Sequence, residues 1–491
     1  MRICIITEGS YPYVVGGVSG WTHELIRSFP DQEFVILAIV ANRSLRGKFV
    51  YDLPDNVTEV HELYLDDVDW GRKKRHKCCM NRKEYEALRR LLLGQETEWE
   101  TLFDFFQKKD ISLNDILMGE DFFNAVTEYY KLNYGQLVFS DFLWMLRSIY
   151  LPLFTTLKMK IPKADMYHCV CTGYAGVLGS MAKHIYGGRL LISEHGIYTR
   201  EREEELIVAK WVQGIYKTIW IEQFRKMSNL AYGKADLVTS LYEQARELQI
   251  EVGCPPEKTR IVPNGIRVEE FQDIPGKQEE DKDKINIGAM LRVTPIKDII
   301  TMIQAFGFAK EREPSLKLWI MGSWDEDQEY AKGCFELVQI MGVADVVFTG
   351  KINASEYYGR MDMTLLTSIS EGQPLTILES FAAKKPVIAT DVGNCRGLIL
   401  GERDDFGAAG IVTRIMNVQD IAQAMVYLAH NEQIRLQMGE NGYQRVKNGY
   451  QFRYMQDAYK KIYREFAEDM QLEWKETQTD TNGGEGETWQ V

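Results

Sequence analysis

The densest group of chemically useful residues lies in residues 368–395. A strand-like apolar run ends in a Ser-rich turn, Glu371 and Gly372 follow, and a helical pattern begins near Pro374. Proline suits the first position of a helix, and the open amides and dipole of a helix N-terminus bind anions. We therefore expect a phosphate site here, with Gly372 allowing a ligand close to the backbone.

Two carboxylates flank this expected phosphate site. Glu371 precedes the helix, and Glu379 lies two turns inside it. A carboxylate is a poor ligand for phosphate but a good acceptor for sugar hydroxyls. Either glutamate alone is more simply a surface residue, but a diphosphate held between two hydroxyl-binding acids is what a sugar nucleotide requires. The whole string therefore indicates a sugar-nucleotide site.

The elements that must position this string are alternating strands and helices. Runs that are apolar on consecutive positions suit parallel strands buried on both faces, and their alternation with helices predicts two successive Rossmann-like, doubly wound α/β domains that face a cleft. The first set of strands is Ile3–Thr7, Phe34–Val40, Met166–Thr172, Leu190–Ser193, Leu237–Leu241 and Arg260–Pro263. The second set is Ile285–Met290, Leu316–Met321, Val346–Thr349, Thr364–Thr367, Pro386–Thr390 and Gly410–Val412.

The domain boundaries follow from changes in composition. The charged stretch Asp273–Lys284 contains Pro and Gly without apolar periodicity, which predicts an exposed connection. Residues from about 69 to 157 have helical periodicity and few β-branched runs, which predicts a helical insertion. We expect an N-terminal, acceptor-side domain over 1–272 and a C-terminal sugar-nucleotide-binding domain over 285–449. We also expect an amphipathic last helix over 450–473 that crosses back to the first domain, and a disordered tail over 477–491.

Composition excludes several classes of protein. The formal net charge is −13, so nucleic-acid binding is not expected. The N-terminus predicts a first strand rather than a signal peptide, and no run approaches the 18 apolar residues of a membrane span. The eight cysteines form no C-x-x-C pair, which favours a reduced, cytoplasmic chain.

Other candidates carry less information by themselves. His195 directly follows a predicted strand, where α/β sites occur, although a structural histidine is the alternative. Arg292 and Lys297 also follow a strand, and the alternative is a pair of solvated cations. A basic cluster opens the insertion, and a solvated face is a simpler interpretation than contact with an anionic lipid surface or a partner; it comprises Arg72, Lys73, Lys74, Arg75 and Lys77.

Several strings together resemble one enzyme family. Glu371 and Glu379 in E-x7-E spacing, followed by P-V-I-A-T-D-V-G, look like the retaining family 4 glycosyltransferases of GT-B fold. Three further segments agree with that family: Val262–Gly265, Ala289–Arg292 with Lys297–Asp298, and Phe348–Gly350. Within that family, residues 1–466 resemble the PelF-like subgroup, which acts in Pel exopolysaccharide synthesis. The matching segments are Gly16–Trp21, Thr172–Gly176, Ser193–Glu201, Pro295–Asp298, Asp325–Asp327 and Ser368–Leu375.

The resemblance implies a role for each matching residue. Arg292 and Lys297 would clamp the diphosphate and stabilise leaving UDP, and His195 would lie at the reaction centre. Glu371 would hold the donor sugar and Glu379 the ribose hydroxyls. The remaining nucleotide-binding positions would be Gly16, Gly17, Asn264, Gly372, Gln373, Pro374, Leu375 and Thr376.

The resemblance also implies an activity. It is the transfer of a hexose from a UDP-sugar, with UDP-glucose favoured, to a growing polysaccharide, without metal or cofactor. The spacing Asp325-x-Asp327 is that of a metal motif, but a solvated loop is the simpler interpretation. Two alternatives stay open: another GT-B enzyme (an epimerase or a glycogen-synthase-like enzyme), or a silent nucleotide-sugar-binding subunit of a membrane synthase. The expected partners are membrane-bound export or synthase components, with the chain peripheral at the inner face.

Overall fold

The computed structural model describes residues 1–67, 80–353 and 355–476. The described residues form the strands β1 Arg2–Glu8, β2 Glu33–Val40, β3 Val57–Tyr64, β4 Met166–Cys169, β5 Arg189–Ser193, β6 Leu237–Ser240, β7 Thr259–Ile261, β8 Ile285–Met290, β9 Leu316–Met321, β10 Val346–Gly350, β11 Met363–Leu366, β12 Val387–Thr390 and β13 Gly410–Thr413.

The α-helices alternate with these strands. They are α1 Gly17–Arg27, α2 Arg82–Leu93, α3 Trp99–Lys108, α4 Leu113–Leu117, α5 Glu120–Tyr129, α6 Phe139–Leu157, α7 Tyr174–Tyr186, α8 Tyr198–Val208, α9 Ile215–Lys234, α10 Glu243–Glu251, α11 Ile299–Arg312, α12 Gln328–Met341, α13 Ser355–Tyr358, α14 Leu375–Ala382, α15 Cys395–Leu400, α16 Val418–His430, α17 Glu432–Gly449 and α18 Phe452–Asp469.

The strands make two sheets with equivalent topology. The first has the order β3-β2-β1-β4-β5-β6-β7 and the second β10-β9-β8-β11-β12-β13. Adjacent strands pair in parallel, as where Ile5 lies between Ile36 and His168 in the first sheet and Ile287 pairs with Leu318 in the second. Numbered within each sheet, the second has the order 3-2-1-4-5-6 of the doubly wound fold, and the first has the same order with a seventh strand added at the end. The predicted fold class, two Rossmann-like α/β sheets, is confirmed.

All twelve predicted strands are present, with differences at two places. The strand expected over Met166–Thr172 ends at Cys169, because residues beyond it turn into α7. The sequence interpretation also missed β3, whose residues are mostly half-exposed or exposed. It lies at the edge of the sheet, and pairs of polar residues interrupt its apolar residues, so it lacks the continuous apolar run of the buried strands.

Contacts group the chain into two compact units. The first contains residues 1–193 and 202–237 and the residues from Lys461 onward, and the second contains residues 194–201 and 238–460. In the first unit, β2 is buried along nearly its whole length. In the second, β8 and β11 are almost as completely buried. The proposed domain limits, including a last helix that crosses back to the first domain, stay predictions.

The described part of the expected insertion is helical from Arg82 to Leu157, with short breaks. Asn81 starts α2 with a capping box that includes Glu84, and buried aromatic rings such as Phe106 and Phe154, 5.1 Å apart, pack α3 against α6. The basic cluster, Cys78, Cys79 and the expected disordered tail lie outside the described residues. Among those that are described, no single helix is long and apolar enough to cross a membrane; the segments 120–134 and 139–157 pass that test only as a pair bent by 117°.

The stretch Asp273–Lys284, predicted to be an exposed connection, is only partly so. Most of its residues are exposed, but Asp281 is fully buried. Its carboxylate accepts hydrogen bonds from Lys317 Nζ at 2.8 Å and Arg360 Nη2 at 2.5 Å. Burial raises the pKa of Asp281, but these two cations outweigh that effect and hold it below its usual value. The expectation of exposure was wrong at this residue, because its partners lie 36 and 79 positions away.

Candidate active site

The predicted chemistry lies at the point where the strand order of the second sheet reverses. Strands β8 and β11 are neighbours there, and their connections leave in opposite directions. Ligands of doubly wound sheets bind outside the carboxyl ends of strands at such a point. The loop after β8 carries Arg292 and Lys297, and the loop after β11 carries Glu371 and Gly372. The topology therefore brings two loops together that are distant in sequence.

Lys297 is held by a short turn, Pro295–Lys297, which is hydrogen-bonded to the end of β11. The carbonyl of Ile296 accepts from Ile369 N at 2.8 Å, and that of Lys297 accepts from Thr367 Oγ1 at 2.9 Å. The next residue, Asp298, caps α11 by accepting from Thr301 N at 3.2 Å. The backbone around Lys297 is thus fixed on both sides, and its ammonium group is aimed by the protein rather than by solvent.

Lys297 and Glu371 form the central ion pair of the site. Lys297 Nζ lies 2.5 Å from Glu371 Oε1, and the side chains are only 18% and 11% exposed. Ser368 Oγ donates to the same carboxylate oxygen at 2.5 Å. Ion pairs this far from solvent are screened much less than surface pairs. The pair places a cation and a hydroxyl acceptor side by side at the end of β11.

The N-terminus of α14 follows this pair and has no side-chain cap. Pro374 occupies the N-cap position, without a hydrogen bond from its side chain, and the first turn contains no acid. The amides of Leu375 and Thr376 begin the helix there, as the sequence predicts. An uncapped helix start beside a lysine is suited to bind an anion.

Gly372 is required by the crowding of backbone atoms around it. A Cβ atom at this position would lie 2.3 Å from the carbonyl oxygen of His195. On the other side, the carbonyl of Gly372 accepts from Asn394 N at 2.8 Å. Gly393, which has φ of +51°, lets that loop turn under the carbonyls of residues 371 and 372. The backbone at Gly372 is therefore in close contact with the loop that carries His195 and with the loop that carries Gly393 and Asn394.

Asn264 joins the site through Gln373. The Asn264 backbone N–H donates to Gln373 Oε1 at 2.7 Å, and both side chains are buried. Within the described residues, Gln373 Nε2 and Asn264 Oδ1 have no hydrogen-bond partner. Buried amide groups without partners are costly, and neither atom has accessible surface, so both lie inside the protein.

Glu379 lies on α14 and is held by Tyr358, at the end of α13. The tyrosine hydroxyl donates to Glu379 Oε2 at 2.7 Å, and Tyr358 is fully buried. Burial raises the pKa of Glu379 above its usual value, although the hydrogen bond from Tyr358 acts in the opposite direction. One carboxylate oxygen is therefore fixed by the protein, which orients the other.

His195 follows β5 and is aligned by its neighbour. Glu194 N donates to the carbonyl of Thr239 at 3.0 Å, and the Glu194 carboxylate accepts from Gln249 Nε2 at 2.9 Å. The imidazole is partly buried, and burial lowers the pKa of His195 to about 4. It is therefore neutral near pH 7, and one ring nitrogen can donate a hydrogen bond while the other accepts one.

Arg292 is more exposed than Lys297 and pairs elsewhere. Its Nη1 atom lies 2.5 Å from Glu326 Oε2, and both side chains are about half exposed. The Asp325-x-Asp327 string lies in the same region; Asp327 caps α12 by accepting from Tyr330 N at 2.9 Å. Across the described ranges, no group of three or more His, Cys, Asp or Glu residues could hold a metal ion.

Gly16 and Gly17 belong to the first unit. They lie in the loop after β1 and at the first position of α1, which has no side-chain cap and no acid in its first turn. A Cβ atom on either glycine would meet nothing within 4 Å. Room for a ligand exists at this helix start, but packing does not require glycine there.

The sequence interpretation missed two side chains that orient the carboxylates. Ser368 precedes Glu371 in S-x-x-E spacing, which is the spacing of a local Ser–Glu contact at a helix start, so that signal was available. Tyr358 lies 21 residues before Glu379. No motif links the two, and only the packing of α13 under α14 brings them together.

Two family models match the chain. The first, "Domain of unknown function (DUF3492)", matches residues 1–257, and "Glycosyl transferases group 1" matches residues 270–445. The second match contains Arg292, Lys297, Glu371 and Glu379.

Curated relatives match part of the chain. Alpha-monoglucosyldiacylglycerol synthase of Streptococcus pneumoniae is 32% identical over 209 residues, which cover 37% of this chain and 46% of the relative. D-inositol 3-phosphate glycosyltransferase of Kribbella flavida is 28% identical over 220 residues, which cover 42% and 50%. The chain thus spans about half the length of these relatives.

Solved structures match nearly the whole fold. Sucrose-phosphate synthase from Thermosynechococcus elongatus has a TM-score of 0.62 and 16% identity, with 95% of this chain and 99% of that chain covered. Anabaena Alr3699/HepE, in complex with UDP-glucose, has a TM-score of 0.60 and 14% identity, with 95% and 100% covered. At these identities the likeness shows the GT-B fold alone. On the family matches, the chain belongs to the DUF3492 family and carries a glycosyl transferases group 1 domain in its second half.

Proposed function

We propose that this protein is a retaining, metal-independent hexosyltransferase of the PelF-like type. It transfers a sugar from a UDP-sugar, with UDP-glucose favoured, to a growing exopolysaccharide. The observation that carries the proposal is the Lys297–Glu371 pair, 2.5 Å apart, beside the uncapped start of α14. A cation, free amides and a hydroxyl acceptor in one place are the three groups that a nucleotide sugar needs.

In this proposal the donor is bound from the helix outward. The diphosphate lies on the amides of residues 372–376 and on Lys297, which releases Glu371 in part to accept a hydroxyl of the donor sugar. Glu379 accepts the ribose hydroxyls with the oxygen that Tyr358 leaves available. Arg292 leaves Glu326 and joins Lys297 on the phosphates. HepE, a protein of the same fold, has been solved in complex with UDP-glucose, which supports the proposal of a UDP-sugar as donor.

The chemical step depends on charge that appears on the leaving group. As the bond between the sugar and UDP breaks, negative charge grows on the β-phosphate, and fixed cations and amides stabilise that charge most in the transition state. His195 is neutral at working pH, so it contacts the sugar as a hydrogen-bonding group and not as a cation. Retention follows when the acceptor hydroxyl attacks the sugar on the face from which UDP departs and passes its proton to the departing phosphate oxygen, without a protein nucleophile and without a cofactor.

The location and partners of the protein complete the proposal. A polymer that is exported but made by a cytoplasmic enzyme must pass to membrane components. We therefore expect the protein to work at the inner face of the membrane with export or synthase subunits. Nucleic acid is not expected as a partner, given the net charge of −13.

The test is calorimetric binding of UDP, GDP and ADP to the wild type and to Glu379→Gln. Gln retains an acceptor for Tyr358 but loses the charge offered to the ribose, so UDP affinity should fall about tenfold or more. Glu336→Gln, at an exposed carboxylate on α12, is the matched control and should bind UDP normally. A folded wild type that binds none of the three nucleotides would refute the site.

Turnover is tested separately through Glu371. Glu371→Gln should still bind UDP but should lose transfer of sugar from UDP-glucose, because the lost carboxylate contacts the sugar and not the nucleotide. UDP binding by a wild type that transfers no sugar, even with membrane extract present, would favour the silent subunit instead.

A further inference from the structure

A cavity of the first unit lies between α8 and α9 and is not used by the proposed donor site. Its volume is about 210 Å³, and its walls include Arg202, Glu205, Leu206, Trp211, Trp220 and Phe224. At roughly 30 Å³ per water molecule, it holds about seven waters. That room suits one six-membered ring. We call it the Trp211 cavity.

Aromatic rings form the walls of the Trp211 cavity. Trp211 is 68% exposed while Trp220 is only 8% exposed, and their rings meet edge to face at 5.8 Å and 85°. Trp220 in turn packs against Phe224 at 5.6 Å. Val212, next in sequence, is buried, which anchors the segment that carries Trp211. A large ring held at the surface offers a flat apolar face to a ligand.

Trp220 contributes an apolar wall to the cavity and not a hydrogen bond. Its indole N–H is buried and has no acceptor anywhere in the part of the chain that the structure describes. Because this nitrogen has no accessible surface, an occupant of the cavity does not reach it, and only the ring of Trp220 lines the space. The polar contacts of an occupant must therefore come from the rim.

The rim of the cavity is charged. Arg202 and Glu205 form an ion pair of 2.6 Å on α8, and the same helix carries Glu203 and Glu204. This acidic helix disfavours an anionic lipid surface, which attracts cationic segments. A paired guanidinium and carboxylate beside an aromatic face provide donors, acceptors and an apolar plane together. Those are the groups that match a sugar ring, with its C–H faces and its hydroxyl edge.

We propose that the Trp211 cavity binds one sugar unit of the saccharide acceptor, stacked on Trp211 and hydrogen-bonded at its edge. The inference rests on the proposed function, because it supplies the acceptor for that transfer. The sequence connects the two sites directly, since α8 starts at Tyr198, shortly after His195. A chain held here would be anchored on the element that continues from the reaction centre.

The experiment measures saccharide binding to the full chain with UDP present, by saturation-transfer NMR and calorimetry. The probes are neutral tetrasaccharides, α- and β-linked, of glucose, galactose and their N-acetylamino forms. The variants are Trp211→Ala and Trp220→Phe. The matched control is Trp144→Ala, which removes another exposed tryptophan, 57% exposed and stacked on Arg147.

We expect at least one tetrasaccharide to bind the wild type and Trp144→Ala equally. Trp211→Ala should weaken that binding about tenfold or more, the cost typical of truncating a central aromatic contact, whereas Trp220→Phe keeps an aromatic ring at the wall and should change it much less. UDP affinity, measured in the same samples, should not change in any variant. Failure of UDP binding would count against the proposed function, and it would be seen independently of the saccharide result.

Three results would overturn the assignment. The first is a wild type that binds UDP but none of the tetrasaccharides. The second is unchanged saccharide affinity in Trp211→Ala. The third is a different occupant: Trp211-dependent sedimentation with phosphatidylglycerol vesicles, or a Trp211-dependent change in oligomeric mass, without saccharide binding.

Discussion

The protonation of His195 provides a quantitative test of the site. Burial lowers the pKa of His195 from 6.5 to about 4. Between these two values the unfolded chain binds a proton that the folded chain does not. The stabilisation that comes from keeping the imidazole neutral is therefore complete above about pH 6.5 and is lost as the pH falls towards about 4. At about pH 5 the loss amounts to about 2 kcal/mol in the free energy of unfolding.

The perturbation is His195→Gln, which keeps a polar side chain but cannot titrate. Urea unfolding of wild type and variant would be compared at about pH 8 and about pH 5, following the transition of the second unit. The stability difference between them should move by about 2 kcal/mol in favour of the variant at the lower pH. His61→Gln, on the partly exposed edge strand β3, controls for the loss of an imidazole as such.

The pKa can also be observed directly. Histidines labelled with carbon-13 would be titrated by NMR, and the His195 signal would be identified by its absence in the variant. A midpoint near 4 would support a neutral hydrogen-bonding role in catalysis. A midpoint of about 6 or higher, or equal pH dependence of unfolding in both proteins, would refute the reasoning and make a charged His195 available for acid–base chemistry.

Two further changes test the packing that supports the site, and both are measured by urea unfolding. Gly372→Ala would place a methyl group 2.3 Å from the carbonyl oxygen of His195 and should lower the free energy of unfolding by about 1–3 kcal/mol. The control is Gly17→Ala, where a methyl group would meet nothing within 4 Å and stability should hardly change. Similar losses of stability in the two variants would contradict the crowding at Gly372. Asp281→Ala leaves Lys317 and Arg360 without their shared carboxylate and should lower the free energy of unfolding by about 3–5 kcal/mol. The control is Asp283→Ala, at an exposed position, which should cost little. An equally small loss in both variants would show that the ion pairs of Asp281 do not stabilise the fold.

Much of the fold could be predicted from the sequence because its strands are buried on both faces. A continuous apolar run such as Phe34–Val40 can be recognised as a strand without knowledge of its neighbours. Edge strand β3 could not be found in this way, since only two of its eight residues are buried. Asp281 could not be predicted to be buried for a similar reason. A charged residue in a charged stretch is expected to be exposed, and only its distant partners show that it is not.

In the candidate site, too, local relations could be predicted from the sequence and long-range contacts could not. Glu371, Gly372 and Glu379 lie in one short string, so their relation to the helix start could be predicted from spacing. Their partners could not, because Lys297 is 74 positions from Glu371 and Tyr358 is in another helix.

Glu371 has two partners, Lys297 and Ser368, and both bear on how the proposed donor would be bound. On the proposed function, nucleotide phosphates compete with the Glu371 carboxylate for the ammonium group of Lys297. Glu371 does not lose its only partner when they succeed, since Ser368 Oγ also donates to it. A second hydrogen bond to the same oxygen lowers the cost of separating the ions, because the carboxylate stays solvated by the protein. If the proposed function holds, Ser368 makes the ion pair easier for a sugar nucleotide to open, so that Lys297 can bind phosphate while Glu371 accepts a hydroxyl of the sugar.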